Sequence, residues 1–146
     1  MVLRARIGGF VFLVCLLSAL FTGCHPIRPN TVGNKPATLI FGQGGGVTGK
    51  YMEYALLIDG TLYRVDTQSG ERTFLRKLNK KDTRAFFVDA EMLNIMKMDF
   101  NHPYNINYYI VYQKGVYSKK VNWGDANDPP PEGIKELWDR LWKLSK

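Results

Sequence analysis

The sequence is poor in the side chains that perform chemistry near neutral pH. Among 146 residues only two are cysteine and two are histidine. Cys15 and Cys24 both sit early, so residues 25–146 contain no cysteine. That stretch can therefore hold no disulfide, no thiol nucleophile and no thiolate metal site. His102 is the only histidine beyond His25, and no Ser or Cys nucleophile motif accompanies it. Long apolar runs are scarce too. Ile7 to Phe21 is the longest, at ~15 residues the length of a signal-peptide core and short of the ~20 that span a bilayer. No internal repeat is evident. A fold without staples must rest on its core, and three Trp, eight Tyr and most of the eight Phe are the material for it.

What is present at the start is a basic pair, Arg4 and Arg6, then the apolar run, then Leu20-Phe21-Thr22-Gly23-Cys24. This resembles the lipobox of bacterial lipoproteins, with Phe21 where Leu is usual. The resemblance implies a signal peptide over residues 1–23 and a Cys24 thiol carrying two fatty chains. The protein would then be anchored to a membrane through that N-terminal lipid. The plainer alternatives are an ordinary secretory signal or an uncleaved anchor, with Cys24 incidental. His25, rather than an Asp, follows the cysteine, and no acidic cluster comes after it. Among lipoproteins that pattern implies the outer membrane and a periplasmic face.

Loss of residues 1–23 leaves 123 residues, enough for one domain. Arg4 and Arg6 leave with the leader, so 20 basic residues become 18 against 13 acidic, a net charge of +5. The densest basic cluster, Arg76, Lys77, Lys80, Lys81 and Arg84, reads as a solvated face around a helix start. Export removes nucleic acid and nucleotides from the expected partners.

Residues 24–36 contain HPIRPNTVGNKP, too rich in Pro, Asn and Gly for a regular element, so they read as a tether. Residues 37–146 then form a single domain. Thr38 to Phe41 reads as a strand stopped by Gly42, and Tyr51–Ile58 and Thr61–Thr67 pair across Asp59-Gly60. Arg72 to Leu78 adds a fourth strand. The period changes after Asn79, which caps a helix over Lys80–Asn94 carrying Phe86, Ala90 and Leu93 on one stripe. Residues 95–107 read as irregular. Asn107–Gln113 and Val116–Trp123 form a hairpin about Lys114-Gly115, with Tyr108, Ile110 and Tyr112 on one face. A last helix, Glu132 to Leu144, carries Ile134, Leu137, Trp138 and Leu141 at helical spacing. The order ββββ-α-ββ-α implies an α+β fold, an antiparallel sheet of five to six strands with both helices packed on one face.

Three loops invite functional readings. Gly44-Gly45-Gly46-Val47-Thr48-Gly49-Lys50 fits the spacing of a phosphate loop. Tyr51 stands where the motif needs a hydroxyl, and a strand rather than a helix follows, so nucleotide binding is excluded. The glycines mean either a wide hairpin loop or a main-chain docking site for a partner. In Asp99-Phe100-Asn101-His102-Pro103-Tyr104-Asn105 a lone histidine reads first as a turn residue. A metal would need three ligands, and Asp99, Asp125 and Asp128 are the only candidates beside it, so no metal or other cofactor is expected. Trp123-Gly124-Asp125 with Pro129-Pro130-Pro131 reads as helix punctuation, or as a rigid rim offering Trp123 to a partner.

The segments FGQGGGVTG, DFNHPYN and WGDANDPPP together resemble a family of small Bacteroidota lipoproteins without an assigned activity. A looser similarity, carried by Gly45-Gly46-Val47-Thr48-Gly49, Ala85-Phe86-Phe87 and Asp125 with Pro129, is to the emfourins, which inhibit thermolysin-type metalloproteases. The emfourin turn has Phe where Val47 stands. The expectation is a lipid-anchored, non-enzymatic binding module whose loops 42–50, 99–107 and 123–131 contact a protein or envelope partner. Gly44, Gly45, Gly46, Asn101, His102, Trp123 and Asp125 are its candidate contact residues. The alternatives are an emfourin-like inhibitor and an enzyme using His102 with Asp99 or Asp125.

Overall fold

A computed structural model describes residues 35–146. The expected signal peptide, Cys24 and most of the expected tether lie outside the described residues.

The fold is α+β. The strands are β1 (Thr38–Gly45), β2 (Lys50–Leu57), β3 (Thr61–Val65), β4 (Arg72–Lys77), β5 (Asn101–His102), β6 (Ile106–Lys114) and β7 (Tyr117–Trp123). They form one sheet in the order β4-β3-β2-β1-β6-β7-β5. Helix α1 (Lys80–Met92) follows β4, and α2 (Ile134–Lys143) follows β7.

Alternation along the strands decides which face is covered. Leu39 and Phe41 on β1 stand opposite Tyr112 and Ile110 on β6, and opposite Leu56 and Tyr54 on β2. Leu39, Phe41, Leu56, Leu62, Ile110, Tyr112 and Val121 are buried together with Phe86, Phe87 and Ala90 of α1. The same core takes Ile134, Leu137, Trp138 and Leu141 of α2. Both helices thus lie on one face of the sheet. Each fully buried Leu, Ile or Phe contributes about 1.5–3 kcal/mol of transfer free energy, and this core holds the fold without a covalent link.

Local signals explain the helix ends. The Asn79 side chain accepts a hydrogen bond from the Asp82 backbone N–H at 2.9 Å, which satisfies an otherwise unpaired donor of the first turn. Helix α2 begins at Ile134, two residues later than the sequence pattern suggests. Gly133 sets its start with φ of 81°, a left-handed conformation that a side chain would disfavour. The turn at Asp59-Gly60 forms as expected, with Asp59 accepting from the Thr61 N–H at 2.9 Å.

Four expectations are corrected. The sheet has seven strands rather than five or six, because residues 95–107 are not wholly irregular. They contain a 3₁₀ turn at Ile95–Lys97, then β5, which pairs with β7 in parallel through Asn101 and His102. The sheet is therefore mixed. A two-residue strand carries no periodicity, so the sequence holds no signal for it.

Gly42 does not stop β1, which runs on to Gly45. The reason is steric. On the face away from the helices, a Cβ at Gly42 would lie 2.5 Å from the Tyr109 hydroxyl. The ring of Tyr109 occupies the space that a side chain on β1 would fill, and Tyr51 does the same for Gly44. For that reason Tyr109 is only 3% exposed, although it points to the uncovered face of the sheet. Its hydroxyl donates to Glu53 at 2.7 Å, and the Lys120 ammonium lies 4.3 Å from its ring centre. Burial, then the Glu53 hydrogen bond and charge, hold the phenol far above the ordinary tyrosine value near 10, so it stays protonated.

Candidate functional site

The three loops that the sequence singles out meet at one end of the sheet. Loop 99–107 is the link. The Asn105 carbonyl accepts from the Gly46 N–H at 2.6 Å. Gly45, with φ of 113°, lets the chains approach that closely, since a Cβ there would lie 2.5 Å from the same carbonyl. On its other side loop 99–107 touches 123–131. The Ile106 carbonyl and the Tyr104 N–H take the space beside Gly124. Nδ1 of His102 pairs with the Asp128 carboxylate.

Beside this junction the sheet end, the proline segment and α2 enclose a cleft of about 510 Å³. Trp123, Trp138 and Trp142 all line it, and these are the only tryptophans in the chain. Tyr108 joins them. Its ring stacks with Trp123 at 6.1 Å and 21° between planes, and Trp138 stacks with Trp142 at 4.9 Å and 12°. The two stacks stand nearly perpendicular, with Tyr108 and Trp138 at 86°. Such edge-to-face contacts suit the ring quadrupoles. The result is a corner of two aromatic walls.

Trp138 anchors that corner to the sheet. Its indole N–H donates to the Gly42 carbonyl at 3.1 Å, within the buried interior. Trp123 and Trp138 are each 6% exposed, whereas Tyr108 and Trp142 are half-buried and offer open ring surface. Polar groups complete the lining: the Gln43 amide, the Asp125 and Asp139 carboxylates and the Lys135 ammonium. Lys135 and Asp139 are bonded at 2.8 Å, one helical turn apart. That bond holds the Lys135 amine above its ordinary value, so it remains charged. Asp125 accepts from the Asn127 N–H at 2.8 Å, which fixes the loop at the rim.

No family model matches the chain, and no curated protein is significantly similar to it.

The expected contact residues separate into groups. Trp123 and Asp125 line the cleft. Trp123 is a buried wall rather than the exposed rim that the sequence suggests, because Tyr108 and Trp138 pack on it. Asn101 and His102 lie in β5, in register with Asn122 and Trp123. Asn101 accepts from the Asn122 side chain at 3.1 Å, and His102 stacks on Phe100 at 4.3 Å. The histidine meets Asp128, not Asp99 or Asp125, and Asp99 is paired with Lys119 at 3.0 Å. Gly44 and Gly45 allow close approach of Lys50, Tyr51 and the Asn105 carbonyl, while Gly46 has open space around it and a φ of 67° in the turn. Among the described residues no three His, Cys, Asp or Glu side chains gather as a metal would require.

Tyr108, Trp138 and Trp142 carry the cleft, and none of them is among the contact residues that the sequence suggests. The signal that points further is the spacing of Trp138 and Trp142, four apart on α2. Residues so placed are neighbours on one face of a helix.

Proposed function

We propose that this protein is a lipid-anchored, non-enzymatic binding module of the bacterial outer membrane, facing the periplasm. It meets its partner with the sheet end where loops 42–50, 99–107 and 123–131 converge. The observation that carries the reading is the aromatic cleft beside that convergence, built from every tryptophan of the chain. Half-buried aromatic rings with a few placed polar groups are the usual make-up of recognition sites. The membrane attachment rests on the lipobox-like residues ending at Cys24, and the outer-membrane placement on His25, rather than an Asp, following that cysteine.

Full-length protein extracted from membranes in detergent is expected to co-purify with an envelope component. Ala126→Arg together with Val47→Arg alters two exposed loop positions without touching the core. The component is expected to be lost from that variant while its melting temperature stays unchanged. Recovery in equal amount would show that this end of the molecule is not the contact surface.

A second reading, inhibition of a thermolysin-type metalloprotease, is favoured by Val47. It stands fully exposed at the tip of the Gly46–Gly49 turn, where an inhibitor would place a residue to enter a protease cleft. Purified protein in excess is then expected to slow peptide hydrolysis by such a protease, and Val47→Arg to relieve the effect. Unaltered hydrolysis with the native protein removes this reading.

A further inference from the structure

We propose that the tryptophan cleft takes a neutral, polyhydroxylated ligand, a short segment of an uncharged glycan. The inference rests on the reading of the protein as a binding module and names the ligand class of that same site.

Charge decides between ligand classes. An anion entering the cleft would face the carboxylates of Asp125 and Asp139. A cation would face the Lys135 ammonium, and Asp139 is already engaged by it at 2.8 Å. Only Asp125 would remain to attract it, with one oxygen given to the Asn127 N–H. A neutral ligand that both donates and accepts suits the lining better. Its hydroxyls can donate to Asp125 and accept from Lys135, and the Gln43 amide can do either.

Shape agrees with charge. A pyranose has a face of C–H bonds and an edge of hydroxyls. The open rings of Tyr108 and Trp142 provide apolar planes for the first, and the polar rim provides partners for the second. The cleft, at about 510 Å³, has the volume of a small-ligand site and is too large for a single water-filled defect. Rigid walls favour binding as well. Trp138 is held by the Gly42 carbonyl, and Trp142 is steadied by its stack on Trp138 and by the Tyr54 ring, which meets it edge-on at 5.5 Å. Little side-chain freedom is left to lose when a ligand arrives.

Because all the tryptophans of the chain are in the cleft, indole emission reads the site directly. The test uses full-length protein in micelles of a detergent without a sugar headgroup. Maltohexaose, cellohexaose and N-acetylated chitohexaose are titrated separately. At least one is expected to change the emission saturably and to shift the indole N–H resonances. Trp142→Ala is expected to weaken that binding about three- to tenfold, and Trp142→Phe less, since it keeps a ring in place. If Trp142→Ala does not fold, the indole shifts of the native protein carry the test alone. The proposal is overturned if none of the three saccharides alters either signal at its solubility limit. It is equally overturned if a proline-rich or trimethyl-lysine peptide alters them and the saccharides do not. Loop-dependent capture of an envelope protein without saccharide binding would end the glycan assignment and leave the binding-module reading intact.

Discussion

Gly42→Ala is expected to lower the melting temperature by roughly 5–15 °C, and Gly42→Val to leave little folded protein. The new Cβ would stand 2.5 Å from the Tyr109 hydroxyl and 2.7 Å from the Met52 carbonyl. Neither neighbour can retreat cheaply. Tyr109 is 3% exposed and tied to Glu53, while the Met52 carbonyl belongs to the backbone of the paired strand. Overpacking of this kind costs about 1–3 kcal/mol, and more when backbone must shift. Thermal unfolding followed by circular dichroism checks it. The double variant Gly42→Ala with Tyr109→Ala apportions the clash: recovery of part of the loss assigns it to the ring, and no recovery assigns it to Met52. An unchanged melting temperature for Gly42→Ala would show that β1 and Tyr109 do not interlock.

The second large effect is expected from Trp138→Ala, a loss of about 3–5 kcal/mol read as a lower urea midpoint at constant slope. Trp138 is 6% exposed and joins three aromatic neighbours, Tyr108, Trp123 and Trp142. Removing it leaves a cavity where sheet and helix meet. Trp138→Phe keeps most of the volume but loses the hydrogen bond to the Gly42 carbonyl. That variant is expected to cost about 1–3 kcal/mol, the price of a buried acceptor deprived of its donor together with some lost packing. A loss below about 1 kcal/mol for Trp138→Ala would mean that the indole is not the anchor of the cleft.

These two residues also make one linked element. Gly42 gives Tyr109 its space on the open face and offers its carbonyl to Trp138 on the helix face. A change on either side of β1 is therefore expected to be felt at the cleft as well as in stability. The functional surface and the sheet centre share a residue.

The sequence by itself determined the local elements. Alternating strands, the Asp59-Gly60 turn, the Asn79 cap and the apolar stripes of both helices are short-range patterns, and the α+β class follows from their order. It also determined what chemistry residues 26–146 lack, since cysteine is absent and histidine reduced to one. Tertiary structure alone decided that β1 continues through its glycines, because the filling ring of Tyr109 comes from a strand more than sixty residues later. It decided that Asn101 and His102 form a seventh strand, since a two-residue pairing has no period to read. It decided the cleft too. Tyr108, Trp123, Trp138 and Trp142 lie on three elements, β6, β7 and α2, and only the packing of helix on sheet sets their rings at right angles. Periodicity tells which face a residue takes; which distant residue meets it there depends on register and on the fit of buried volumes.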